Sequence, residues 1–267
     1  MAVPYILREG MTTMFGAYIG IDYSGARTPV ARNKGLRVCR ATRDTDPVRV
    51  RSPAGEKRHW TRKEIAHWCL EQLRSVEPVI IGIDHGFSFP LGYMERYMIS
   101  SWDQFLDDFQ QHWPTDKDNV TAESLRKGNK RIGRHTEFRL TEKWTASAQS
   151  VFKLDGAGTV GKSTHCGIPW LRFMRRNADP VSRPHFWPFD GFDIPPNQSV
   201  IVEIFPSIFR KRYPRRYKTT DAHDAMCVAR WLKDMDTGGH LSTYFHPPLT
   251  AGEREIAKLE GWILGIY

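Results

Sequence analysis

Ala17-Tyr18-Ile19-Gly20-Ile21-Asp22 decides how this 267-residue chain folds. It is a short apolar run that ends in an acid and passes into Tyr23-Ser24-Gly25-Ala26, the pattern of a buried strand entering a turn. Val79-Ile80-Ile81-Gly82-Ile83-Asp84 reads the same way, a second buried strand ending in an acid and followed by His85-Gly86-Phe87-Ser88-Phe89-Pro90. Between them, weaker strands at Leu36 to Ala41 and Val48 to Arg51 are joined by the turn Asp44-Thr45-Asp46-Pro47, which makes a hairpin-like meander. Thr61 and Glu64 form a capping box. The apolar positions Ile65, Trp68, Cys69, Leu73 and Val76 then predict a helix that runs on to Pro78. Further on, Ser199 to Phe205 predicts a third strand, carrying Glu203. Asp221 to Met235 predicts a helix with Thr220 as N-cap, and Thr250 with Glu253 opens a last amphipathic helix.

The acids follow from these elements. Asp22 and Asp84 stand at the C-terminal ends of strands, where ligands gather in open α/β sheets. Asp221 and Asp224 are three apart at the start of a helix and so share a face. Oxygen ligands in such a cluster suit Mg²⁺ or Mn²⁺, which can activate water against a phosphodiester. Plainer roles exist for each acid alone: Asp22 and Asp84 as turn residues, Asp221 as a partner of the helix dipole. The joint pattern favours chemistry.

In order along the chain, Ile19-Gly20-Ile21-Asp22, Ile83-Asp84 with Gly86 and Pro90, Val202-Glu203-Ile204-Phe205-Pro206, and Asp221-Ala222-His223-Asp224-Ala225 resemble the blocks of domain-of-unknown-function family 429, a set of ribonuclease H-like predicted nucleases. The resemblance spans Tyr18 to Trp231, and the last block is also similar to that of RuvC-type resolvases. It implies an α/β fold with a ribonuclease H-like mixed sheet, an antiparallel three-strand meander plus parallel strands, flanked by helices. It also implies a metal site in which Asp22 is the central bridging ligand, Asp84 the second, and Asp224 with Asp221 the helix-borne pair. Glu203 and His223 are auxiliary candidates, His223 as a residue that could position a water. Residues 15–90 and 198–267 would form the core, and 91–197 a large basic, aromatic-rich insertion.

Charge names the partner. The net charge is +9, with seven Lys/Arg from Arg126 to Lys143 and six from Arg210 to Lys218. Nucleic acid is the natural ligand of such patches, since each neutralised phosphate releases counterions; a solvated face is the plain alternative. Lys162, Arg210, Arg212, Arg215 and Arg216 are the expected phosphate contacts. Trp102, Trp113, Trp144, Trp170, Phe186, Trp187, Phe189 and Phe192, interspersed with Arg172, Arg175, Arg176 and Arg183, could stack on bases, although core packing is the commoner use of such residues.

Other classes recede. No apolar run approaches the roughly 18 residues of a membrane span. Met1 to Gly10 lacks a signal-peptide core, with Met11 and Met14 just before the first strand. Cys39, Cys69, Cys166 and Cys227 lack both zinc spacing and a disulfide framework, so a reducing cytoplasm is expected. Gly156 to Ser163 satisfies the pattern of a phosphate loop behind a possible strand at Ser150 to Leu154. A nucleotide site is not expected there, because Gly167 and Pro169 should break the helix that must follow. Two rivals to a nuclease remain: an actin-like or sugar-kinase-like phosphotransferase, for whose duplicated domains the chain is short, and a non-catalytic nucleic-acid binder. Oligomeric state is not legible.

Overall fold

The computed structural model describes residues 14–55, 59–145, 147–156 and 160–267. Met1 to Gly10, Met11 and residues 157–159 of the glycine loop lie outside them. In chain order the elements are β1 (Ala17–Asp22), β2 (Arg37–Thr42), β3 (Val48–Val50), α1 (Arg62–Gln72), β4 (Val79–Asp84), α2 (Leu91–Arg96), α3 (Trp102–His112), α4 (Ala122–Arg126), α5 (Leu140–Lys143), α6 (Gly161–Asn177), β5 (His185–Trp187), β6 (Val200–Ile204), α7 (Thr220–Thr237), α8 (Leu241–Tyr244), α9 (Ala251–Glu260) and β7 (Ile263–Leu264).

The strands form one mixed seven-stranded sheet, in the order β3-β2-β1-β4-β6-β5 with β7 also paired to β6. β1, β2 and β3 are an antiparallel meander, whereas β4, β6, β5 and β7 add in parallel. Ile19, Ile21, Ile81 and Ile83 face α1, α3 and α6, while Tyr18, Ile80, Val200 and Val202 face α7. The alternation of strand side chains thus buries both faces, as expected of strands with helices on either side. Gly20 and Gly82 are adjacent in register. A Cβ on Gly20 would lie 2.2 Å from the Ala225 carbonyl oxygen, so bare backbone at this point is what lets α7 lie directly on the sheet.

Several expectations need correction. α1 has the foreseen Thr61–Glu64 capping box but ends at Gln72, so Val76 stands fully exposed instead of on the buried face. The sequence of Ser101 and Gln104 predicts a capping box before a helix from Asp103 to His112; Ser101 does cap α3, but the Gln104 side chain turns to Ser100 and leaves the box half made. The N-cap of α7 is Thr219, one residue early. β5 and β7 have no counterpart in the sequence reading, and Ser150 to Leu154 is turn and irregular chain.

The largest correction concerns α6, whose 17 residues run unbroken through Gly167 and Pro169. Proline removes the N–H that would reach the carbonyl four residues back. That carbonyl, on His165, instead accepts a hydrogen bond of 2.7 Å from Thr115 Oγ1. Gly167 is needed for contact, because a Cβ there would sit 2.4 Å from the His85 ring.

Residues 91–197 share the core of the flanking segments. They supply β5, and their Phe105, Phe109, Ile168 and Leu171 join Ile19, Ile81 and α1 in one apolar cluster. Their aromatics pack inward: Trp113 and Trp187 are fully buried, Trp102 stacks on Phe189, and of the tryptophans named there Trp144 is the exposed one. The arginines beside them are paired, Arg172 and Arg176 with Asp107, Arg175 with Asp103 and Asp190. Among the described residues no helix is long and apolar enough to cross a membrane.

Candidate functional site

Asp22 and Asp84 are register partners on neighbouring parallel strands, so their Cα atoms lie about one strand spacing, ~5 Å, apart. Both share the α7 face of the sheet with Gly20 and Gly82. Because α7 rests on those glycines, its first turns bring Asp221 and Asp224 over the same strand ends. Asp224 is buried; its Oδ2 accepts a 2.9 Å bond from Arg210 Nη1, and its Oδ1 has no partner among the described residues. A cleft of about 450 Å³ opens here, walled by Asp84, Asp221, Asp224, Arg210, Tyr23 and Ser163 among others. Asp22 lies beside Asp84 without forming part of that wall.

The carboxyl groups crowd each other. Burial, then the charges of Asp84, Asp221 and Asp224, holds the Asp22 carboxyl well above the usual range. Burial, then Asp224 and Glu203, pushes that of Asp84 up to about 8. Asp224 is raised by burial and partly relieved by Arg210. Among the described residues no three His, Cys, Asp or Glu are closed up into a metal-ligating group. The donors that converge are nonetheless hard oxygens with surplus negative charge and one orphaned buried oxygen, which is the chemistry a divalent cation satisfies.

The other candidate residues separate into three groups. Glu203 pairs in register with Ile83, not Asp84, and therefore faces the opposite side of the sheet. There it accepts from Arg139 at 2.6 and 2.7 Å and from the Phe87 N–H at 2.9 Å, so its carboxylate is taken up by a buried ion pair, and the two residues wall the acidic cleft from that side. His223 is buried against Cys227, 3.4 Å from Nε2 to Sγ, and does not line the cleft. Of the basic residues, Arg210 lines the acidic cleft. Lys162 lines a smaller neighbouring one, between the Tyr23 to Ala26 turn and the start of α6, and is ion-paired with Glu123. Arg212 is exposed, Arg215 donates to the carbonyls of Tyr217 and Lys218, and Arg216 reaches Asp46 in the β2–β3 turn.

Sequence reasoning passed over Arg37, Arg139 and His85. Arg37 is the register partner of Asp22 across β1 and β2, and pairing the foreseen meander residue by residue would have found it. His85, buried, follows Asp84 directly and stacks edge-on with Tyr23. Nothing local marks Arg139, which meets Glu203 from 64 residues away. Comparison with known proteins returned no matching family model, no matching curated protein and no matching solved structure.

Proposed function

We propose that this chain is a divalent-metal-dependent nuclease of ribonuclease H-like architecture that hydrolyses phosphodiester bonds of nucleic acid. The observation that carries the reading is the register pair Asp22–Asp84 facing Asp224, whose buried Oδ1 has no partner among the described residues. An antiparallel meander continued by parallel strands, with the acids at the junction of the two, supports the architecture. Asp22, Asp84 and Asp224 would hold Mg²⁺ or Mn²⁺, with Asp221 at the rim of the set. When bound, the ion supplies Lewis acidity that makes water nucleophilic near neutral pH and offsets charge on the leaving oxygen. Arg210 orients Asp224 through Nη1 and adds positive charge beside the position a phosphate would take.

The test is hydrolysis of labelled DNA and RNA, and of bis(4-nitrophenyl) phosphate, with Mn²⁺ or Mg²⁺. Asp22→Asn should lose on the order of 10²-fold or more, a few kcal/mol of transition-state stabilisation. It should also lose the rise in melting temperature that Mn²⁺ gives the wild type. A variant that cleaves as the wild type does would overturn the reading.

One observation favours an ATP-dependent phosphotransferase instead: α6 starts at Gly161-Lys162-Ser163 and is unbroken. Against it, no strand leads into the loop among the described residues and Lys162 is occupied by Glu123. Mg-ATP should leave the melting temperature unchanged; a shift lost in Lys162→Ala would favour the phosphotransferase.

A further inference from the structure

We propose that the β2–β3 side of the acidic cleft, built by Lys34, Arg37 and Arg49 with His59, is a track for the phosphate backbone of a nucleic acid strand, and that Arg215 and Arg216 of the 210–218 loop are not part of it. The proposal deepens the nuclease reading and rests on it.

The sheet register places the track. Asp84, Asp22 and Arg37 form one row across β4, β1 and β2, so the Arg37 side chain shares the face of the two acids. Arg49 on β3 is opposite Cys39, two residues along from Arg37, and is therefore on that same face. His59 meets Arg37 at 3.3 Å from Nδ1 to Nη1, and the positive charges of Arg37, Arg49 and Lys34 add to desolvation in holding its pKa below the ordinary value. Arg37 in turn feels Asp221 and Asp22 from the cleft side. Cations therefore extend from the acids over about two strand spacings, ~10 Å, room for about two successive phosphates of one strand.

Direct ion pairs distinguish these charges from their neighbours among the described residues. Arg32 is paired with Glu64 and Arg43 with Glu77, whereas Lys34, Arg37 and Arg49 have no carboxylate within ion-pair distance among the described residues. Arg37 is buried, and Nη1 is engaged by the Leu36 carbonyl at 3.0 Å, so the guanidinium is held in place. Arg37 has Asp22 and Asp221 on its cleft side, while Lys34 and Arg49 are exposed and have no carboxylate partner among the described residues, so their charge is open to an anion. In the loop, Arg216 has a carboxylate partner in Asp46, and the Arg215 guanidinium is turned back onto the carbonyls of Tyr217 and Lys218.

The test is binding of fluorescein-labelled single-stranded DNA and RNA in EDTA at several salt concentrations. Lys34→Gln/Arg49→Gln, two exposed positions chosen because Arg37 is part of the folded interior, should weaken binding roughly tenfold and lower the salt slope by about 1.4, the value for two phosphate contacts on a single strand. Arg215→Gln/Arg216→Gln removes the same charge and should leave the slope unchanged. Equal effects of both pairs, no effect of the first, or no binding by the wild type would each overturn the track. Failure of the nuclease reading shows separately, as absence of metal-dependent hydrolysis of bis(4-nitrophenyl) phosphate, which is too small to reach the track.

Discussion

Asp84 shows how the surroundings of a single carboxyl make the stability of the fold depend on pH. Its pKa in the folded chain stands at about 8, against an ordinary 3.8, because burial and the neighbouring Asp224 and Glu203 charges disfavour ionisation. The folded state thus holds the proton more tightly than the unfolded chain. This contribution to stability is complete below about pH 4 and is lost as pH rises towards 8. Asp84→Asn should therefore flatten the decline in melting temperature between about pH 4 and pH 8, and should melt above the wild type at pH 8 in EDTA. Thermal melts across that range check it; a variant melting lower than wild type at pH 8 would show that the ionised carboxylate stabilises the fold. A bound divalent ion should reverse the trend, since it binds the ionised form and so gains affinity as pH rises.

At the scale of the element, α6 shows that a sequence rule can be correct in mechanism and still mispredict an outcome. Pro169 does remove a helical hydrogen bond, but Thr115 Oγ1 supplies the missing donor to His165 from a different segment. Thr115 is itself fully buried, so Thr115→Val should leave the His165 carbonyl unsatisfied and cost about 1–3 kcal/mol. Pro169→Ala restores a local donor. In urea titrations, the threonine change should thus cost less in the Pro169→Ala background than alone, a coupling of about 1 kcal/mol. Strict additivity would mean that the two residues do not serve the same carbonyl. β1 and β4, in contrast, match their sequence reading residue for residue, because each is a short apolar run closed by an acid and a turn.

For the molecule as a whole, Arg139 fastens the 91–197 segment to the sheet. It is buried and pairs with Glu203 on β6 and Glu142 on α5, and its Nη1 also reaches the Glu260 carbonyl at the end of α9. Glu260 in turn accepts the Leu91 and Leu140 N–H groups. Removing the guanidinium leaves buried carboxylates uncompensated. Arg139→Met should cost about 3–5 kcal/mol, and Glu203→Gln in the same chain should recover part of it. Chemical denaturation of both variants measures this, and a single variant as stable as the wild type would refute the role.

Elements with local causes were determined by the sequence itself: the apolar strands β1, β4 and β6, the capping boxes of α1 and α9, and the acids at strand ends and at the start of α7. Tertiary structure alone decided which of these acids share a site. Register is a relation between strands, and a shift of one residue sends a side chain to the other face. Asp22 aligns with Asp84, while Glu203 aligns with Ile83, so two acids meet on the α7 face and the third reaches the cleft from the other face, bound to Arg139. The fate of charge was decided in the same way. Composition counts arginines, but only the folded chain reveals that Arg216 is answered by Asp46 while Lys34 and Arg49 have no carboxylate partner among the described residues. Electrostatic partners are set by distance in space, and no local pattern in a chain encodes that distance.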